Sequence, residues 1–340
     1  MPTLKTSGIA IILSTAYEND KKPEKAYAVL EDALQHVQEA GRAKTVSHTG
    51  ILNGPNETDG LENLSPQERL RAVAISYKLG EMAQQLKKPD DEERYLTYAV
   101  NVVLKHIMEH RLVPASISEM AAGKRVPNSA EEGKEQIMEE QLGLPNWVEK
   151  QDLAAPFEAL ATFYTKENRS ERVLVSIFPA ALLNSPFSYA LPLYLQAASI
   201  LIPSTPAKSS AEERCRGAQL MGNISDLILS RGATGDNIKQ AGSWAQKGLD
   251  ITTETRQKAR EKCEVCEVAY AVLLYNVALT RELAGDSEGA KKMFAESLAQ
   301  SENIGLDQGV KFASGALRNL SHGDGNTRPF FLPEPQTRGI

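Results

Sequence analysis

Cysteine is scarce in this 340-residue chain, with Cys215, Cys263 and Cys266 its only three. That is too few for the disulfide framework of a small secreted scaffold. Long apolar runs are missing too. The longest, near 9–13 and 173–183, fall well short of the roughly 20 residues that a membrane-spanning helix needs, so no span is expected. Nor is there an excess of positive charge: 38 Lys and Arg stand against 44 Asp and Glu, a formal net charge of -6. Nucleic acid, whose phosphates attract basic surfaces, is therefore not an expected partner. The opening MPTLKTSG has no signal-peptide architecture and is too short and too poor in Arg for a transit peptide. Strand signals are nearly absent, while Ala, Leu, Glu, Lys and Gln dominate the periodic segments. The expected class is all-α.

Catalytic motifs are lacking as well. There is no Gly-rich phosphate loop, no GxSxG and no pair of carboxylates in an apolar setting. Cys263 and Cys266 have the spacing of a redox or zinc pair, but zinc needs a second ligand pair, and a thioredoxin-like motif needs a preceding strand. Two buried cysteines packing a helix are the favoured reading, with redox chemistry as the alternative. His106 and His110 lie one helical turn apart without the Glu of a HExxH site or a third ligand, and read as a solvent-facing pair. The glycosylation patterns at Asn56 and Asn168 lack a secretory context. No catalytic residue, cofactor or metal is expected.

What the chain does have is repetition. From 275 to 298, YNVALTRELAGDSEGAKKMFAESL reads as two amphipathic helices around Ala284-Gly285-Asp286. One helix carries Leu274, Val277 and Ala278 on a single face; the other carries Ala290, Phe294, Ser297 and Leu298. Small residues at 278, 290 and 297 let the helices approach, and Phe294 and Leu298 fill the space between them. Gly285 suits a left-handed helix exit, and Asp286 suits the next cap. This order of small, large and turn residues resembles a tetratricopeptide (TPR) repeat, a helix pair of about 34 residues that needs neighbours to bury its apolar face.

Neighbours are present. A first pair spans 8–40, with Leu13, Tyr17, Ala26, Leu30 and Ala33 at packing positions and Pro23 opening the second helix. A Gly-, Asn-, Thr- and Asp-rich loop, 44–65, follows. Ser65-Pro66-Gln67-Glu68 then predicts a capping box for the second pair, which packs through Leu79, Gly80, Ala83, Leu96 and Ala99 and continues past Val103 and Ile107. Its turn, Lys87-Lys88-Pro89-Asp90, echoes Lys21-Lys22-Pro23-Glu24 at the same repeat offset. An irregular acidic stretch occupies 113–150. The third pair uses Leu160, Ala161 and Tyr164, then Ala190, Tyr194 and Ala197, with an apolar, proline-broken segment 172–188 intervening. Removing that segment restores the repeat spacing, so it reads as translated sequence of a short retained intron, with a functional lid as the alternative. The fourth pair has Leu220, Gly222, Ile224 and Leu227, then Ala241, Trp244, Ala245, Gly248 and Leu249. Leu306, Val310, Ala313, Leu317 and Leu320 suit a helix that caps the stack. The expected fold is a TPR-like right-handed α-solenoid of about five helix pairs with a C-terminal capping helix over 1–320, followed by a disordered tail, 321–340.

In such a stack the first helix of each pair lines a concave groove. Residues beside the packing positions then face it: Tyr77, Glu81 and Gln84, then Glu158 and Thr162, then Tyr275, Leu279 and Glu282. Tyrosine offers rigid amphipathic contact area at low entropic cost, which suits polypeptide recognition. The alternative is that these are ordinary outward faces of structural helices. The Lys and Asn clamp that holds chaperone carboxyl termini in some TPR proteins is not evident, which argues against a co-chaperone.

Three segments, ISYKLGEMAQQLKKPDDEERYLTYAVNVVLK, SWAQKGLDI and CEVCEVAYAVLLYNVALTRELAGDSEGAKKMFAESL, resemble one fungal family. It is the TPR adaptor subunit of the mitochondrial inner-membrane i-AAA protease, on the intermembrane-space side. The resemblance covers about 65–320, interrupted at 172–188. It implies a non-enzymatic protein that binds unfolded or misfolded polypeptides and delivers them to the protease. It assigns no catalytic residue. Relatives carry a targeting sequence and a membrane anchor before the repeats, and neither is visible here, so a soluble cytoplasmic location is the alternative. The competing function is a general scaffold for assembly of a folded partner complex.

Overall fold

The computed structural model describes residues 2–49, 64–109, 149–167, 187–202 and 209–322. Every element among them is helical: α1 (Pro2–Asn19), α2 (Pro23–Thr49), α3 (Pro66–Gln85), α4 (Pro89–Glu109), α5 (Lys150–Glu167), α6 (Phe187–Leu201), α7 (Ala211–Ser230), α8 (Gly235–Lys258), α9 (Glu264–Leu283), α10 (Ser287–Ile304) and α11 (Asp307–His322). The chain divides into two units, Met1–Phe163 and Tyr164–Gln336.

In the first unit α1 packs on α2, α2 on α3 and α3 on α4, and α1 also touches α3. In the second, α6 through α11 each pack on the next, while α7 touches α9 and α9 touches α11. Each unit thus combines consecutive helix pairs with contacts between first helices of successive pairs. That is the pattern in which a pair buries the face it cannot bury alone.

Local sequence accounts for the helix ends. Ser65 and Glu68 close the expected capping box, the Ser65 hydroxyl accepting from the Glu68 amide at 3.3 Å and the Glu68 carboxylate from the Ser65 amide at 2.9 Å. Ser210 and Glu213 repeat it at α7. Asp286 caps α10 by accepting from the Gly289 amide at 2.9 Å. The hairpin turns of α1–α2, α3–α4 and α9–α10 share one geometry, with Lys21, Lys87 and Gly285 all left-handed (φ 55°, 58° and 89°). In each, an amide past the helix end returns to a last-turn carbonyl: Lys22 to Tyr17, Lys88 to Ala83 and Asp286 to Arg281, all at 2.9 Å. The Lys-Lys-Pro echo in the sequence is therefore one turn used twice.

Beyond the first pair most expected packing positions are buried, with Trp244 and Leu298 only half-buried. Leu79, Ala83, Leu96 and Ala99 are buried, as are Leu160, Ala161, Tyr164, Ala190, Tyr194 and Ala197. The same holds for Leu220, Ile224, Leu227, Ala241 and Ala245, and for Leu274, Val277, Ala278, Ala290, Phe294 and Ser297. Gly248 has to be glycine, because a Cβ there would stand 2.8 Å from both the Ala218 carbonyl oxygen and Leu273. The first pair needs correction. Ala26, Leu30 and Ala33 are buried, but Leu13 is 42% exposed and Tyr17 only half-buried. Apolar side chains surround the middle of α1, so their spacing does not say which side faces in. Two boundaries also move: α2 continues to Thr49 through the start of the expected loop 44–65, and α6 begins at Phe187, inside the segment 172–188. The rest of that segment, the rest of the loop, nearly all of the stretch 113–150, His110, and the tail beyond His322 lie outside the described residues.

Candidate functional site

Each unit is taken separately. In the first, Tyr77, Glu81 and Gln84 form one row on α3, all half-buried. The row is charged and wired. Lys78 lies 3.8 Å from the Glu81 carboxylate and 3.1 Å from Glu18 of α1, and the Gln84 amide donates to Glu92 of α4 at 3.4 Å. On α5, Glu158 is buried and Thr162 half-buried; the Thr162 hydroxyl donates to the Glu158 backbone carbonyl at 2.9 Å.

A second polar group in this unit joins α2 to α4. The Tyr27 hydroxyl donates to Asp91 at 2.9 Å, the Tyr95 hydroxyl donates to Glu31 at 2.6 Å, and Arg94 donates to the Tyr95 oxygen at 2.7 Å. Burial, reinforced by the Asp91 carboxylate, pushes the Tyr27 hydroxyl up to about 12. Lys88 sits over the Tyr27 ring, 4.4 Å from its centroid. The sequence reading missed this group, whose partners lie more than sixty positions apart.

In the second unit, the three α9 residues expected in a groove divide. Glu282 is half-buried. Tyr275 and Leu279 are 2% and 1% exposed, and the Tyr275 ring packs against Phe294 of α10 and Phe312 of α11 at 5.1 Å and 6.1 Å. As the chain stands, those two side chains belong to the core and offer a ligand no surface. The signal was there: 268–279, VAYAVLLYNVAL, is apolar on every side of the helix, which marks a helix buried all round.

Behind Tyr275 lies a buried polar pair bridging α7 and α9. The Asn276 amide donates to Asp226 and to the Gly222 carbonyl, both at 3.3 Å. Asp226 is 0% exposed, and its other carboxylate oxygen has no hydrogen-bond partner; nor do the Asn276 side-chain oxygen and the Ser225 hydroxyl. Burial raises the Asp226 carboxyl well above its usual range, partly offset by the Asn276 hydrogen bond. A proton on Asp226 would remove the charge that burial disfavours and turn its unpartnered oxygen into a donor.

Cys215 and Cys266, both fully buried, are joined by a disulfide that ties α7 to α9 across a separation of 51 residues. The CxxC reading is therefore corrected. Cys266 pairs with the distant Cys215, and Cys263, partly buried at the start of α9, is a free thiol packed against the buried side chains around that disulfide. Nearby, Arg256 of α8 donates to both Glu267 carboxylate oxygens at 2.9 Å and 2.7 Å, and Gln300 of α10 adds a third bond at 2.7 Å. The Arg256 hydrogen bonds, outweighing burial, hold the Glu267 carboxyl below its usual value.

Among the described residues no group of three His, Cys, Asp or Glu could hold a metal ion, and no helix is long and apolar enough to cross a membrane. No family model matches the chain, and no curated protein matches it either.

Proposed function

We propose that this chain is a non-enzymatic, TPR-like adaptor that binds unfolded or misfolded polypeptides and hands them to an AAA protease. The observation that carries the reading is the repeated helix hairpin, with one turn geometry at three places and contacts between first helices of successive pairs. Such stacking supports an extended face built from many short elements, which suits a flexible polypeptide better than a compact substrate. The half-buried row Tyr77, Glu81 and Gln84 is the client contact we assign to the first unit, and Glu282 is the one we assign separately to the second. The resemblance noted above supplies the protease and its mitochondrial setting. The buried Cys215–Cys266 disulfide supports an oxidising compartment over the cytoplasm, where thiols are kept reduced.

One observation favours a second reading. With Tyr275 and Leu279 in the core, α9 lacks the accessible aromatic and apolar surface expected there of a client-binding groove. A scaffold for a folded partner complex needs less of it. Affinity purification of the full chain separates the two. The adaptor reading expects an AAA protease among the recovered proteins and a preference for a denatured over a native client. Tyr77→Ala should weaken that client binding several-fold with the helical content intact. Recovery of one folded partner, no protease and no preference for unfolded protein would replace the adaptor with the scaffold.

A further inference from the structure

Helix α1 is inverted. Its inward positions hold Ser7 and Ser14, 2% and 3% exposed, while Ile9, Ile12 and Leu13 are 66%, 72% and 42% exposed. These make three of the four exposed large hydrophobics among the described residues. The serines are content inside: Ser7 donates to the Leu4 carbonyl at 3.2 Å and Ser14 to that of Ile11 at 2.8 Å. With their hydroxyls satisfied in the helix, they act as small spacers towards α2 and α3. The isoleucines have no such arrangement. An outward apolar stripe of this kind marks a surface that another body covers.

The stripe has an order. Lys5, Ile9, Ile12, Leu13 and Ala16 are all exposed and fall within about 100° of the helix circumference, and the exposed Asp20 follows in the turn just past the helix end. It is basic at one end, acidic at the other and apolar between. Laid against itself head to tail, with a two-fold axis between residues 12 and 13, the stripe matches at every position. Ile12 meets the partner subunit's Leu13, Ile9 meets the partner subunit's Ala16, and Lys5 meets the partner subunit's Asp20. A parallel pairing would set lysine on lysine and aspartate on aspartate. Asp20 already pairs with Lys22 within the chain, and a contact from the partner subunit's Lys5 would be exposed in the same way, so the ends set the direction of pairing and the isoleucines supply the affinity.

We propose that α1 is a homodimerisation helix, pairing antiparallel with α1 of a second copy of this chain. The partner follows from the charge order, since a stripe complementary to itself under a two-fold rotation needs no other protein. A membrane fits less well: α1 carries one lysine, one glutamate and no aromatic on the stripe, whereas interfacial helices are rich in Lys or Arg and anchored by Trp or Phe. One helix pair buries an area at the low end for specific interfaces, so the dimer dissociates with a constant on the order of micromolar. This inference does not depend on the adaptor reading.

Light scattering coupled to size exclusion tests it on the full chain, over loading concentrations that bracket that range. The wild type should pass from monomer to dimer as concentration rises. Ile12→Glu sets two carboxylates face to face at the axis and should stay monomeric throughout, with an unchanged circular dichroism spectrum. Should that variant misfold, charge reversal decides. Lys5→Glu and Asp20→Lys should each weaken the dimer several-fold, and the double variant should recover it. A wild type monomeric at every concentration would overturn the proposal, as would a dimer indifferent to these changes. So would a monomer that floats with phosphatidylcholine–phosphatidylserine vesicles until Ile12 is replaced.

Discussion

Helices α1 and α11 hold corresponding positions, each resting on its hairpin neighbour and on the first helix of the adjoining pair: α1 on α2 and α3, α11 on α10 and α9. They finish their units in opposite ways. α11 turns Ala313 and Ala316 inward and shows Asp307, Gln308, Lys311 and Arg318 outward. That is how a terminal element closes a stack against water. α1 buries serine and displays isoleucine. The hairpin turn is the same in α1–α2 and in α9–α10, so it does not decide which face a helix buries. Facing is decided by what packs alongside, and among the described residues nothing covers the outward side of α1.

The largest effect expected on this contrast comes from the covalent tie beneath the α11 end. Replacing Cys215 and Cys266 together with alanine should destabilise the second unit by about 4 kcal/mol and leave the first unchanged. Hydrogen exchange resolved by segment would read the two units separately; equal loss in both would contradict the division. Next is a matched pair of carboxylates. Ala313→Glu, at a fully buried position, should cost about 3 kcal/mol and strip α11 of protection. Ala16→Glu, on the exposed stripe of α1, should leave monomer stability within about 0.5 kcal/mol by thermal melt.

A smaller effect concerns how the two regions bury polar groups. The serines of α1 satisfy themselves; Asp226 does not. Burial raises its folded-state value above the unfolded one of about 3.9, so its contribution is fully present below pH 4 and is lost as pH climbs through the raised value. Asp226→Asn should remove that dependence and gain about 1 kcal/mol at alkaline pH, measured by urea unfolding across a pH series. An unchanged slope would assign the dependence to another group. The smallest effect is at the shared turn. Lys21→Gly relieves a left-handed non-glycine residue and should change stability by less than about 1 kcal/mol, upward if the strain outweighs the added unfolded-state entropy.

Local features were legible in the residues. The Ser65–Glu68 capping box, the Gly285 exit, the Asp286 cap and the twice-used Lys-Lys-Pro turn each depend on side chains within a few positions of one another. The hairpin packing residues were legible for the same reason, since a three- and four-residue rhythm fixes a face once a partner is close in sequence. What escaped depends on distance. Cys215 with Cys266 and Asp226 with Asn276 meet across about fifty positions, and nothing in their local spacing announces it. The offset of Tyr275 in a single repeat allows a groove position; Phe312, further along the chain, packs on its ring. Leu13 was placed inward because α1 is apolar on several sides at once, and only its neighbours break the tie.

The disulfide also sets how the second unit bears a pull. A motor drawing on the carboxyl end unravels α11 and α10 and then α9 back to Cys266. There the tension leaves the backbone, crosses the two sulfurs and re-enters the chain at Cys215. The residues between, which hold most of α7 and all of α8, carry no load and withhold about 180 Å of extension. Any pore that drew the chain from that end would meet three strands at that point, the two ends of the loop and the chain that precedes Cys215.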